Sequence, residues 1–162
     1  LDVDGVLTDG RIVINDLGVE TKYFHVRDGQ GLKLLMGSGI EVAIISGRES
    51  EIVRYRAAEL GITEVHQGVT HKESVCRDLL KRKGLESDRA CCIGDDLPDI
   101  PMFHLVGLPV AVVDAPREVR DAAGYITKNR GGNGAVREIC ELILHARGSW
   151  PRIVPEFHER LK

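Results

Sequence analysis

Leu1-Asp2-Val3-Asp4-Gly5-Val6-Leu7-Thr8-Asp9-Gly10 is the stretch on which the reading of this chain turns. It reads as a buried strand that ends in two carboxylates one residue apart. Side chains alternate along a strand, so Asp2 and Asp4 share a face. If the strand ends near Val3, both reach the crevice at its carboxyl edge, where open α/β sheets hold ligands. Carboxylates this close repel unless one is protonated or a cation lies between them. The pattern suggests a metal site, or a nucleophile beside a general acid. A strand running into an ordinary acidic turn is the plainer alternative.

The remaining 152 residues weigh on that choice. A chain of 162 residues suffices for one domain with a real core. Its 43% hydrophobic and 29% charged residues are ordinary for a globular protein. A net charge of −3 gives no electrostatic case for nucleic acid. No apolar run is long enough to span a membrane. Cys76, Cys91, Cys92 and Cys140 lack zinc spacing and read as reduced thiols, which points to the cytoplasm. The chain begins with Leu rather than Met, inside the expected strand, so an upstream segment stays open.

Polar and apolar residues then alternate in α/β fashion. A β-hairpin is expected over about 10–26, turning at Asn15-Asp16-Leu17-Gly18. A helix opens at Arg27-Asp28-Gly29, with Asp28 as N-cap, and ends at Gly37 to Gly39. Strands are expected at 41–45, 63–66, 89–93, 108–113 and 125–127. Helices are expected at 49–60, 71–83, 116–123 and 135–146, with a short one near Pro98 and Pro101. The tail from Gly148 has weak periodicity. Strands alternating with helices define an α/β fold with a mainly parallel sheet, the hairpin being the one break. The division expected is one domain over 1–147 and a C-terminal tail over 148–162.

Polar groups recur at the carboxyl ends of successive strands: Asp2 and Asp4, then Ser46, then Lys72, then Asp95 and Asp96. In a parallel sheet these ends face one way. Asp2, Asp4 and Asp95 offer hard oxygen ligands for Mg²⁺. Ser46, read as opening a helix, makes an anion pocket with the following N–H groups. Lys72 can neutralise a phosphate oxygen. Taken together these groups read as phosphoryl transfer through an aspartyl-phosphate.

Asp2-Val3-Asp4-Gly5-Val6, Ser46, Lys72 and Gly94-Asp95-Asp96-Leu97-Pro98-Asp99 resemble, in order, the four motifs of the haloacid dehalogenase superfamily of phosphatases. The match spans nearly the whole chain and implies a Rossmann-like fold. Val26-Arg27-Asp28-Gly29, Ser46-Gly47-Arg48 and Gly131-Gly132-Asn133-Gly134-Ala135-Val136-Arg137-Glu138 narrow it. They resemble the capless family acting on 3-deoxy-D-manno-octulosonate 8-phosphate, in lipopolysaccharide precursor synthesis. The resemblance implies that Asp2 is the nucleophile and binds Mg²⁺ through its other oxygen. It implies that Asp4 is the acid and base and binds the metal through its carbonyl. Asp95 is then a metal ligand with Asp96 behind it, while Ser46 and Lys72 hold the phosphoryl group. His25, Val26, Arg27, Asp28 and Gly29, together with Lys33, Arg48 and Arg56, match positions that contact the sugar acid. Lys33 stands where the family pattern leads one to expect arginine.

The segments Asp9–Glu41 and Arg48–Lys72 are too short for a large cap domain. The resemblance implies a homotetramer in which hairpins associate and a neighbour helps cover each site. The Gly131–Gly134 loop and the tail are expected to add to that cover. One alternative is a phosphatase for 2-keto-3-deoxynononate 9-phosphate, a family that tends to carry glutamate at Arg48. Another is a non-catalytic module of a sugar-acid-activating enzyme, against which the full set Asp2, Asp4, Ser46, Lys72 and Asp95 argues. A receiver domain of a signalling pathway is disfavoured by the order of its acidic groups.

Overall fold

The computed structural model describes residues 1–159, with side-chain surroundings through residue 155. The order is a small antiparallel hairpin (β1 Val13–Ile14, β2 Glu20–Thr21), then α1 (Val26–Gly37), β3 (Ala43–Ile45), α2 (Glu51–Leu60) and β4 (Glu64–His66). There follow α3 (Lys72–Lys83), β5 (Cys91–Gly94), α4 (Ile100–Phe103), β6 (Leu108–Ala111), α5 (Arg117–Ala122), β7 (Tyr125–Ile126), α6 (Ala135–Ala146) and α7 (Trp150–Glu159). β3 pairs in parallel with β4, and β6 pairs in parallel with both β5 and β7. None of these helices is long and apolar enough to cross a membrane, among the described residues.

Leu1 and Asp2 lie between the two parallel groups. The Leu1 amine donates to Ala43 O at 2.8 Å, Ile45 N donates to Leu1 O at 3.0 Å, and Asp2 N donates to Ile93 O at 3.1 Å. The expected first strand is therefore too short to form a ladder. Its continuation curls at once, because Val3 O accepts from the N–H groups of Val6, Leu7 and Thr8 at 3.2, 2.8 and 3.0 Å. Gly5 stands at φ +89° in that turn, a conformation that L side chains resist. Val3, Val6, Ile44, Val110, Ala111 and Val112 fill the interior around this junction. Burial on both faces is what a parallel sheet demands and explains these unbroken apolar runs.

The helices follow their apolar stripes. α6 buries Val136, Ile139, Cys140 and Leu144 and packs chiefly on α1. α3 packs on β3 and α4. The four cysteines are free, and burial pushes the Cys91, Cys92 and Cys140 thiols up to about 12, so they act as small apolar side chains.

Three local expectations change. α1 begins at Val26 with His25 at its N-cap position, so Asp28 lies inside the first turn and is not the cap. α2 begins at Glu51, leaving Ser46 in a loop rather than at a helix start. The tail continues as α7, where Pro151 sits in a first turn that needs no N–H from it. Trp150 anchors this helix, with its ring 5.0 Å from that of His145 and the Arg137 guanidinium 5.5 Å above it. Residues 160–162 of the expected tail lie outside the described residues.

Candidate active site

The carboxyl ends of the central segments converge on a cleft of about 280 Å³ lined by Asp2, Asp4, Ser46, Arg48, Lys72 and Asp95. Its floor is a buried ion cluster. Lys72 Nζ lies 2.9 Å from Asp2 Oδ1 and donates to Asp99 Oδ1 at 2.7 Å. Asp99 Oδ2 in turn accepts from the N–H groups of Asp95 and Asp96 at 3.0 and 3.2 Å. Asp2, Asp95 and Asp99 each bring a carboxylate oxygen within 4.8 Å of the others.

This cluster is electrostatically incomplete, since one ammonium faces three carboxyls. Burial raises the Asp2 carboxyl above its usual range, and Asp99 adds to this while Lys72 opposes it. Burial, then the charges of Asp2 and Asp99, push Asp95 up to about 8. For Lys72, burial favours the neutral amine, but Asp2 and Asp99 outweigh it and hold the ammonium above its ordinary value. Protons or a cation must balance such a site. An all-oxygen donor set suits a hard divalent ion such as Mg²⁺. Both Asp99 oxygens are already bound to Lys72 and to backbone, so Asp2 and Asp95 are the groups with oxygens to offer.

A second set of charges comes from the hairpin. Lys22, its side chain 1% exposed, sets Nζ 2.5 Å from Asp4 Oδ1 and 3.4 Å from Glu20 Oε1. Arg48 Nη2 donates to Glu20 Oε1 at 2.7 Å and its Nε lies 3.6 Å from Asp4 Oδ2. Ser50 Oγ donates to the other Glu20 oxygen at 2.9 Å. The hairpin is thus bolted to the loop after β3 through Glu20.

Of the remaining expected residues, Ser46 and Asp96 line the cleft and the others lie outside it. Ser46 is buried in the cleft wall, its N–H donating to His66 O at 2.8 Å. Asp96 is exposed and accepts from Leu97 N at 2.8 Å, so Asp99 rather than Asp96 backs the cluster. Val26 and Arg56 line a separate cavity of about 340 Å³ with Lys22, Phe24 and Tyr55. Gly29 lies under Arg56, where a Cβ would meet Nη2 at 2.4 Å. Arg27 and Lys33 are exposed on α1. His25 Nδ1 stands 3.9 Å from Asp28 Oδ2, beyond hydrogen-bond reach. Asp28 is buried, and both its oxygens accept from the backbone of the α6 N-terminus.

The Gly131–Gly134 loop, expected as cover, is instead pressed onto the Asp4 turn. A Cβ on Gly131 would stand 1.6 Å from Gly5 O. Three residues in or beside this cleft, Asp99, Glu20 and Lys22, receive no role from the sequence, although Asp99 closes the quoted Gly94–Asp99 motif. Asp99 was signalled by a third carboxylate four positions beyond Asp95. Glu20 and Lys22 were signalled by two charges at alternate positions in an extended apolar segment.

A parallel α/β sheet bearing an Asp-x-Asp turn, a buried lysine and a second acidic turn defines a class, the haloacid dehalogenase-like hydrolases. The family model described as haloacid dehalogenase-like hydrolase matches residues 61–139. The chain is 46% identical over 147 residues to 3-deoxy-D-manno-octulosonate 8-phosphate phosphatase KdsC of Haemophilus influenzae, covering 91% of this chain and 82% of that protein. It is 47% identical over 148 residues to the Escherichia coli K12 protein of the same name, covering 91% and 79%. Its fold matches the Moraxella catarrhalis phosphatase solved with magnesium, phosphate and KDO, at a TM-score of 0.94 and 46% identity, covering 96% and 90%. The chain belongs to the family of 3-deoxy-D-manno-octulosonate 8-phosphate phosphatases.

Proposed function

We propose that this protein hydrolyses 3-deoxy-D-manno-octulosonate 8-phosphate to the free sugar acid and phosphate. The observation that carries the reading is the cleft floor: Asp2 anchored by Lys72 at 2.9 Å, with oxygens of Asp2, Asp95 and Asp99 within 4.8 Å of one another, a grouping that could hold a metal ion. A carboxylate nucleophile, a phosphate-neutralising lysine and a metal-seeking acid are the parts that phosphomonoester hydrolysis requires. Relatives of this chain carry that activity in their names, and one was solved with magnesium, phosphate and KDO.

The steps follow from the chain's own groups. An Asp2 oxygen attacks phosphorus while the bond from phosphorus to the sugar oxygen breaks. Asp4 gives its proton to the departing oxygen. Asp4 then takes a proton from water, whose oxygen attacks the aspartyl-phosphate and frees phosphate, restoring Asp2. Ser46 and Lys72 hold the phosphoryl oxygens and offset the charge that grows on them. Asp2, Asp95 and the Asp4 carbonyl would hold Mg²⁺, which would supply positive charge to offset that of the phosphate. Arg48 lines the cleft, held there by Glu20 and Asp4, and its guanidinium is of the kind that pairs with a sugar carboxylate.

His25 to Gly29, Lys33 and Arg56 are absent from the lining of their own chain's cleft. In our reading a homotetramer forms through the hairpins and carries the exposed cations among them toward a neighbour's site. The exposed apolar hairpin, with Ile14 58% and Leu17 86% accessible, supports that assembly. Residues 1–147 then form the phosphatase unit and the segment from 148 its C-terminal addition, acting in the cytoplasm on lipopolysaccharide precursors.

The test is phosphate release with Mg²⁺ from a panel of eight-carbon and nine-carbon keto-acid phosphates and simple hexose phosphates, for wild type and Asp2→Asn. Strong preference for the eight-carbon acid, lost in Asp2→Asn, is the expected result. Preference for the nine-carbon acid overturns the substrate, and no turnover by a folded protein overturns the activity.

A further inference from the structure

Helix α6 begins without a cap of its own. Its N-cap position is Gly134, which has no side chain to accept from the exposed first-turn N–H groups. The missing acceptor comes from another helix more than a hundred residues earlier. Asp28 Oδ1 accepts from Arg137 N at 2.7 Å and Oδ2 accepts from Gly134 N at 3.2 Å. A carboxylate suits that end of a helix, where the peptide dipoles present positive charge. Asp28 is 1% exposed, so neither oxygen is free to meet a ligand.

The segment that Asp28 fastens leads directly to the Asp4 turn. Gly132 N donates to Val6 O at 2.8 Å, and Gly131 N donates to Asp114 Oδ1 at 3.1 Å. Backbone meets backbone with no room to spare: a Cβ on Gly132 would lie 2.3 Å from the Thr8 carbonyl carbon. That contact spans the turn in which Asp4 and Gly5 stand. A shift of the α6 N-terminus must therefore move this turn.

We propose that Asp28 is a positioning residue for Asp4, fixing the acid–base carboxyl by clamping the Gly131–Gly134 loop against the Gly5–Thr8 turn. This rests on the reading of Asp4 as the acid and base. It assigns Asp28 a role that does not touch the sugar acid.

The experiment is steady-state phosphate release from 3-deoxy-D-manno-octulosonate 8-phosphate with saturating Mg²⁺, comparing wild type with Asp28→Asn, alongside thermal unfolding. Asparagine keeps one acceptor and loses the other. We expect kcat to fall about tenfold or more, since small displacements of catalytic groups carry losses of that size, with KM within about twofold of wild type. A raised KM with kcat kept would mean that Asp28 contacts substrate, and would overturn the proposal. A lower Tm with both constants unchanged would mean a structural role only, and would also overturn it. Should Asp28→Asn fail to fold, Asp114→Ala loosens the same loop at Gly131 and must give the same kcat-selective loss; any other result overturns the clamp. Absence of wild-type turnover removes the Asp4 reading and this proposal with it, whereas an unaffected Asp28→Asn beside an active wild type removes this proposal alone.

Discussion

Lys22 and Asp4 meet at 2.5 Å across 18 residues of sequence, one on the hairpin and the other in the turn that closes the catalytic cleft. Lys22 also faces Glu20, which holds Arg48. The hairpin therefore contacts two residues that line the cleft, Asp4 and Arg48, as well as presenting an exposed apolar surface. Replacing Lys22 by Met leaves Asp4 and Glu20 without their buried counter-charge. The expected outcome is a kcat lowered about tenfold by loss of orientation at Asp4, read in the phosphate-release assay with Mg²⁺.

One contribution to the pH dependence of the metal-free protein comes from Asp95. Its folded carboxyl titrates at about 8 against an ordinary value of 3.8. Between those values the folded state holds a proton that the unfolded state has lost. The contribution of Asp95 to stability is thus full in acid and is lost as pH rises from about 4 toward 8. Asp2, also raised, contributes in the same direction. Chemical unfolding of chelator-treated protein at a series of pH values should show this slope, and Asp95→Asn should flatten it.

Metal binding to the folded state alone should reverse that loss. At a hundredfold excess over its Kd, Mg²⁺ is expected to stabilise the wild type by about 3 kcal/mol. Asp95→Asn removes a ligand and relieves repulsion together, so its Tm without metal should rise while its response to Mg²⁺ disappears. Differential scanning calorimetry with and without Mg²⁺ checks both.

Gly5→Ala combines two penalties. The backbone at φ +89° disfavours any L side chain by about 1–2 kcal/mol. The added Cβ would also stand 2.0 Å from Asp95 Oδ2, forcing that carboxylate away. The expected result is weakened Mg²⁺ binding in isothermal titration calorimetry beyond what the loss of stability accounts for.

The hairpin's apolar side chains give a test of assembly. Val13, Ile14, Leu17 and Val19 are all exposed in the single chain. Ile14→Asp with Val19→Asp places charge where hairpins are proposed to meet. Light scattering should report a tetramer for wild type and a smaller species for the double variant, with activity reduced in step.

The sequence by itself determined the α/β alternation, because burial on two faces and burial on one stripe leave different apolar periods. It located α6 to the residue, Ala135–Ala146, since Gly131 to Gly134 precede a strong stripe there. It also carried Asp2, Asp4, Ser46, Lys72 and Asp95 to one edge, for parallel strands point their ends one way. Only the tertiary structure decided which groups meet. The two-residue ladders of the hairpin, the curl at Val3 and the loop between Ser46 and α2 are set by long-range hydrogen bonds that local pattern does not encode. Asp28 has the residue type and place of an N-cap, yet it caps a helix 106 residues away because α1 and α6 pack side by side. Asp99, Glu20 and Lys22 joined the site for the same reason: beside their local partners each meets a charge distant in sequence, Lys72 for Asp99, Arg48 for Glu20 and Asp4 for Lys22, and only the packed chain specifies that neighbour.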